Sequence, residues 1–180
     1  MASSYYRLLY RLDGRTAFLI WFSNERDGVL TQNDRILSFS TEESLSKFAA
    51  KATIELVDEA PTLHALDVVR EWILRPRPET VDCSEALAAW NLFGDVARSL
   101  PKACVGFSEL DRAHSEIYEK LFFGNNLAAI TPAGAHYAPT WSEKEVAALL
   151  ATLDCGLRLF RALRQDGDGS NPHGGAREPA

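Results

Sequence analysis

The hydrophobic pattern of this chain changes once, near residue 60, and that change limits the folds open to it. Before that point, short runs alternate apolar and polar residues, as β-strands do. After it, apolar residues recur every three or four positions, as on one face of an α-helix. Strands followed by helices predict an α+β fold, in which an N-terminal antiparallel sheet of about four strands packs against C-terminal helices.

The N-terminal strands are marked by a tight turn. The runs "YYRLLYRL" and "TAFLIWFS" flank Asp13 and Gly14, a pair that tolerates the positive φ angles of a hairpin. The alternation in "RILSFS" predicts a third strand. A helix capped by Thr41 follows, and "ATIELV" is expected to form the fourth strand.

Four helical segments follow residue 60. The segment "HALDVVREWIL" stops before a proline pair, and "DCSEALAAWNLFGDVARSL" begins at Asp82 and stops at Pro101. A third helix is expected from about Ser108 to Phe122. The last helix begins at Ser142, which forms an S-x-x-E capping box with Glu145.

The stretch "FFGNNLAAITPAGAHYAP" before the last helix is either a catalytic loop or a structural corner. Gly124 suits the positive-φ position that ends a helix, and Asn125 and Asn126 can cap the freed carbonyl groups. No base, nucleophile or metal-binding set converges there in the sequence. We therefore expect a corner.

Length and composition predict one domain. The chain has 180 residues, of which 46% are hydrophobic, enough for a single globular domain over residues 1–165. Residues 166–180 offer no core residue, so we expect a disordered tail there. No apolar run approaches the ~18 residues of a membrane helix, and the N-terminus lacks the order of a signal peptide, so we expect a cytoplasmic protein.

The sequence carries no standard catalytic signature. Phosphate-binding, dinucleotide-binding, nucleophile-elbow, zinc-protease and calcium-loop motifs are all missing from it. Cys83, Cys104 and Cys155 lie far apart with no C-x-x-C pair, which argues against a disulfide framework or a closed zinc site and for buried thiols. We therefore expect no catalytic residue, no bound metal and no cofactor, and not an enzyme.

One alternative is a small hydrolase of unrecognised type. It would use His64 with Asp67, or His114 with Glu116 and Cys104, as an acid–base or nucleophile pair. A lone histidine near a carboxylate is more often a hydrogen-bonded surface pair. A generic protein-interaction module is a further alternative.

The formal net charge of −6 is concentrated in one part of the chain. Nine acids and three bases lie between Glu55 and Asp95, and sixteen acids face sixteen bases elsewhere. Nucleic acid is a poor partner for such a surface, because phosphate binding needs clustered Lys and Arg. A basic protein is a better partner, the alternative being a solvated face that binds nothing. The candidate partner-binding residues are Asp58, Glu59, Asp67, Glu71, Glu79, Asp82 and Glu85, of which Asp82 and Glu85 are also expected to cap a helix.

Three segments, "YRLDGRTAFLIWFS", "AAWNLFGDVARSL" and "IYEKLFFGNNLAAITPAGAHYAPTWSEKEV", carry a resemblance to a known class. Over most of Tyr5 to Leu163 the chain resembles the immunity proteins of bacterial contact-dependent growth inhibition systems. The resemblance implies a small cytoplasmic protein that binds the C-terminal domain of a cognate toxin and covers its active site or substrate surface. Such toxins are often nucleases, which implies a basic partner. No catalytic residue carries over from this class, and no direct nucleic-acid or membrane binding is expected.

Overall fold

The computed structural model describes residues 3–129, 131–167 and 176–177. In chain order the strands are β1 (Ser4–Leu12), β2 (Arg15–Ser23), β3 (Gly28–Val29), β4 (Thr31–Gln32), β5 (Arg35–Ser38), β6 (Thr62–His64), β7 (Arg164–Asp166) and β8 (Ala176–Arg177). The helices are α1 (Glu42–Lys51), α2 (Leu66–Leu74), α3 (Cys83–Ser99), α4 (Val105–Ala113), α5 (Ser115–Gly124) and α6 (Glu143–Leu163), with a 3-10 turn at Pro78–Thr80. The predicted α+β class is confirmed. None of the helices in these ranges combines the length and the apolar character needed to cross a membrane.

The predicted hairpin forms the centre of the first sheet, whose strand order is β3-β2-β1-β6. Strands β1 and β2 pair antiparallel from Leu12 and Arg15 outwards, and Asp13 and Gly14 have φ angles of 57° and 69°. The carboxylate of Asp67 accepts hydrogen bonds from both turn N–H groups, at 2.7 and 2.9 Å. This contact fixes the start of α2 against the hairpin.

The fourth strand is not where the sequence pattern placed it. Residues 52–57 make one isolated bridge, between Leu56 and Tyr5, because Thr53 adopts a φ of 59° that interrupts the extended run. The place beside β1 is taken by β6, which pairs with it in parallel. The first sheet is therefore antiparallel only in its β1, β2 and β3 part.

The predicted third strand belongs to a second small sheet, of order β7-β5-β4-β8. Phe39, just after β5, bridges to Phe18 of β2 and so joins the two sheets. Phe39 also packs on Phe48 of α1, with ring centroids 5.3 Å apart, in a small core cluster of its own. Helix α1 begins after Thr41, which caps it as predicted.

The main core lies between the first sheet and the helices that follow it. Helix α3 is central to it: Asp82 caps its start by accepting from the N–H groups of Ser84 and Glu85, as predicted, but the described residues show no return bond from the Glu85 side chain that would complete the predicted capping box. The capping box of Ser142 and Glu145 at the start of α6 is confirmed. The single helix expected over 108–122 is instead divided into α4 and α5 at His114, which takes a non-helical conformation.

The cysteines are less uniformly buried than the sequence predicted, and the tryptophans also differ in burial. Cys104 is buried, whereas Cys83 and Cys155 are only partly buried, and all three are free thiols. Trp90 and Trp141 are buried in the main core, and Trp21 and Trp72 pack against it while remaining partly exposed.

The loop after α5 is a corner, but Gly124 serves it in a different way from the one predicted. Gly124 is the last residue of α5, and a Cβ there would lie 2.6 Å from Sγ of Cys83, so its small size permits the close approach of α3. The positive φ angle, 50°, belongs to Asn126. Its side chain donates to the carbonyl of Gly124 and bonds both backbone groups of Tyr137, which closes the loop.

Part of the segment expected to be a disordered tail is described. Asp166 ends β7, which pairs with β5, and the N–H of Gly167 donates to the carbonyl of Ser38 at 2.7 Å. Strand β8, at residues 176–177, pairs with β4. Backbone pairing of this kind leaves no hydrophobic pattern in the sequence. Residues 168–175 and 178–180 lie outside the described residues, and the prediction for the segment as a whole stays a prediction.

Candidate partner-binding face and polar grooves

An open cavity of about 230 Å³, the α2–α3 pocket, lies between helix α2, the 3-10 turn and the start of α3. The apolar residues that line it are Val68, Val69, Trp72, Val81, Ala86, Leu149 and Leu153. Leu149 and Leu153 of α6 are fully buried and form its floor, whereas Val68 is 38% exposed and lies at its rim. An apolar depression that opens to water is a place where a partner side chain can be buried.

The connection between α2 and α3 keeps the pocket open. Arg75 ends α2, and the indole N–H of Trp72 donates to the carbonyl of Arg77 at 3.2 Å, which holds the chain beside the helix end. The fixed φ angle of Pro78 then starts the 3-10 turn. The segment therefore runs past the mouth of the pocket on a defined path.

Acidic side chains surround this pocket. Glu71, Asp82 and Glu85 are among its lining residues, and Glu79 lies in the 3-10 turn beside it. Within the described part of the chain, none of these four carboxylates forms an ion pair. The one base that lines the pocket is Arg75. Four of the seven predicted partner-binding residues thus lie together, around an apolar centre that the sequence did not reveal.

The other three predicted residues lie elsewhere. Asp58 and Glu59 precede β6 and are exposed, and Asp58 lies 3.7 Å from Arg7 of β1. Arg7 also donates to the carbonyl of Glu59 at 2.8 Å, which ties this loop to the sheet. Asp67 is occupied by the hairpin turn and by Arg70, 3.5 Å away. These three residues do not line the α2–α3 pocket.

The two histidine pairs considered for a hydrolase are not formed. Burial lowers the pKa of His64, whose Nδ1 lies 3.3 Å from the carbonyl oxygen of Ala88, while Asp67 is held at the hairpin turn. Nδ1 of His114 lies 2.8 Å from the hydroxyl of buried Thr152. Burial raises the pKa of Cys104 to about 11, which disfavours the nucleophilic thiolate.

A larger polar groove of about 650 Å³ lies between the first sheet and α3. Its lining includes Tyr6, Trp21, His64, Asp95, Arg98 and Tyr118. Sequence reasoning counted Asp95 among the acids of its segment but did not select it. The available signal was its position inside the apolar run "NLFGDVA", where a carboxylate needs a partner.

Asp95 joins the sheet to α3 at this groove. It is only 8% exposed, accepts a hydrogen bond from the indole N–H of Trp21 at 2.8 Å, and pairs with Arg98. Burial raises the pKa of this carboxyl to about 6, although Arg98 and Trp21 act in the opposite direction. Nearby, Ser99 accepts from the N–H of Val29 at 2.9 Å, and so the helix also holds β3.

No protein-family model and no curated protein matches this sequence. The structure is similar to the crystal structure of the SatS C-terminal domain in complex with bromine, at 15% sequence identity and a TM-score of 0.50. The match covers 91% of this chain and 93% of that one. At this identity the similarity concerns the fold alone.

Asp95→Asn should remove one pH dependence of folding. An unfolded aspartate ionises near pH 3.9 and Asp95 in the folded protein near pH 6, so its ionisation destabilises the fold as the pH rises between these values. We expect the free energy of unfolding of the variant, relative to the wild type, to rise by roughly 2–3 kcal/mol from pH 4 to pH 7. Urea unfolding at the two pH values measures it.

Asp34→Asn is the matched control for this experiment. Asp34 is exposed and has a φ of 57°, which asparagine also tolerates. The difference in the free energy of unfolding between Asp34→Asn and the wild type should be the same at the two pH values. A constant difference for Asp95→Asn as well would show that Asp95 ionises normally in the folded protein.

Proposed function

We propose that this chain is an immunity protein that binds a cognate toxin domain, a nuclease with a basic surface, and neutralises it by covering its active site or substrate surface. The observation that carries the proposal is the α2–α3 pocket, an open apolar cavity surrounded by four carboxylates that form no ion pair among the described residues. The resemblance in sequence to immunity proteins agrees with it.

The arrangement has the anatomy of a protein-binding hot spot. Binding energy at interfaces is concentrated in a few apolar anchors that enter pockets, inside a polar rim that excludes water. Here Val68 and Trp72 offer apolar surface, and Glu71, Glu79 and Asp82 form the rim. Such a surface favours a partner with an apolar side chain flanked by Lys or Arg.

The acids also explain how such a protein inhibits a nuclease. A nuclease binds phosphates through a cleft rich in Lys and Arg, and exposed carboxylates on an inhibitor compete for that cleft. Long-range attraction between the two surfaces raises the association rate, which matters for a protein that must capture a toxin before it acts. A solvated acidic face without a binding role would not need an open apolar centre.

Protection of cells is the test of the function itself. Cells that express the cognate toxin domain should arrest, and cells that co-express this chain should grow, because the complex blocks the toxin. Growth curves with and without induction of this chain measure the effect. Arrest despite soluble expression of both proteins would refute the proposal and leave the hydrolase or the generic interaction module.

Charge reversal tests the acidic rim. We expect Glu71→Lys with Glu79→Lys to slow association with the toxin domain about tenfold at low salt, and less at high salt, because exposed charges are screened over ~8 Å at physiological ionic strength. Stopped-flow mixing measures the rate. The control is Glu109→Lys with Glu119→Lys, two exposed acids of α4 and α5 that give the same change in net charge. Equal effects of the two variants would contradict a localised binding site.

A valine pair tests the apolar centre. Val68→Ser removes methyl groups from the rim of the pocket, and Val105→Ser makes the same change at a position of α4 that is 53% exposed. Burial of those groups by the partner is worth about 1–2 kcal/mol, so dissociation should be roughly 5–30-fold faster for Val68→Ser alone. Surface plasmon resonance measures the dissociation rate. An unchanged rate would show that the pocket lies outside the interface.

A further inference from the structure

A second groove, lined by donors instead of acids, lies where β1, β2, β5, β7 and the end of α6 meet. Its volume is about 310 Å³ and it is called the arginine groove below. The lining residues are Tyr10, Arg15, Thr16, Ala17, Ser38, Ser40, Arg161, Arg164 and Gln165. None of them carries a carboxylate, although the whole chain has a net charge of −6. It shares no lining residue with the α2–α3 pocket.

Arg164 is held in place in this groove. Its guanidinium carbon lies 5.6 Å from the ring centroid of Tyr10 and 5.7 Å from that of Phe160, so the side chain packs over both rings. Its Nη1 donates to the hydroxyl of Tyr10 at 3.1 Å. A guanidinium fixed in this way is preorganised for binding, because little of its freedom is lost when a ligand arrives.

A chain of hydrogen bonds runs from the guanidinium of Arg164 through the hydroxyl of Tyr10 to the hydroxyl of Ser38. Tyr10 accepts from Arg164, and its oxygen lies 2.6 Å from Oγ of Ser38. In the arrangement in which Tyr10 donates to Ser38, the hydroxyl proton of Ser38 is left for an acceptor in the groove. Arg15 and Thr16 add donors from the neighbouring strand. The donors thus come from β2, β5 and β7, three strands of the two sheets.

Arginine side chains surround Asp13, which is bound to Arg161 at the edge of this groove. The hydrogen bond from Arg161 holds the pKa of Asp13 below its usual value, and the nearby charges of Arg70 and Arg164 lower it further. The negative charge of Asp13 compensates the positive charge of Arg161, which donates hydrogen bonds to both of its carboxylate oxygens. Arg15 and Arg164 have no carboxylate partner among the ion pairs of the described residues. Among the described residues, these two guanidinium groups therefore have no carboxylate partner and are available to a ligand.

We propose that the arginine groove binds a tetrahedral oxyanion of the phosphate class, either free phosphate or a phosphomonoester. Two guanidinium groups and hydroxyl donors on three strands match an anion that carries several acceptor oxygens, and Arg forms paired bonds with phosphate oxygens. A groove of this volume holds one such group together with a small substituent. This site is independent of the proposed toxin-binding face.

Isothermal titration calorimetry with inorganic phosphate and with phosphoserine tests the proposal, with sodium chloride used to keep the ionic strength constant. We expect saturable binding of at least one of the two. Tighter binding of phosphoserine would identify a phosphomonoester as the ligand, and tighter binding of phosphate the free ion. No saturable heat with either would overturn the proposal.

Three arginine variants locate the site. Arg15→Gln and Arg164→Gln should each weaken binding about tenfold, because each loses a charge-assisted hydrogen bond. Arg158→Gln, on the exposed surface of α6 where Arg158 pairs with Asp154, changes the net charge equally and should leave binding unchanged. Circular dichroism checks that the variants are folded. If Arg164→Gln is unfolded, the binding measured for Arg15→Gln tests the proposal, because Arg15 is exposed and its replacement should not disturb the fold. Equal weakening by all three variants, or none by Arg15→Gln, would overturn the proposal.

Discussion

The structure depends on the packing of one side chain, Phe93 of α3, against a notch in α6. A Cβ at Gly156 would lie 2.6 Å from Cγ of Phe93, so the ring occupies the space that any other residue there would fill. The same ring makes an edge contact with Phe107 of α4, at 6.1 Å between centroids, and lies 6.1 Å from the ring of Phe160. This contact packs α4 and α6 against α3, and cores packed in this way tolerate little displacement.

The first turn of α3 lies at the α2–α3 pocket, and its last turns contact the first sheet. Its first turn brings Asp82 and Glu85 to the mouth of the α2–α3 pocket, while Leu149 and Leu153 of α6 close the floor beneath them. Its last turns hold the sheet, through Asp95 and Trp21. One side of the candidate partner-binding face is therefore built on a helix that the main core buries, and a face held in this way loses little conformational entropy when it binds.

The sequence predicted those parts of the fold whose signals are local. Asp13 and Gly14 specify the hairpin, and Ser142 with Glu145 specifies the start of α6, because the bonds concerned join residues at most three positions apart in the chain. What it missed includes a residue in a left-handed conformation and a contact between distant residues. Thr53 interrupts an alternating run that looked like a strand, and the loop tie of Asn126 to Tyr137 spans eleven positions. A hydrophobic pattern carries no information on either.

The same limit applied to the sites. The cluster of acids from Glu55 to Asp95 was visible in the sequence. The sequence did not show that some of these acids surround a pocket, that others lie in the loop before β6, and that Asp67 binds the hairpin turn 53 and 54 positions away. The apolar centre of the pocket was missed because its floor comes from α6 and its rim from α2. The arginine groove depends on Arg164 and Tyr10, which are 154 positions apart.

A net charge of −6 therefore conceals two surfaces of opposite sign. We propose that the carboxylates around the α2–α3 pocket attract a basic partner over a distance, and that the arginine groove is a short-range site with a few fixed donors. Two guanidinium groups that have no carboxylate partner among the described residues, in a groove of about 310 Å³, match one phosphate group. The arginine groove is thus a proposed small-anion site that shares no lining residue with the proposed protein-binding pocket.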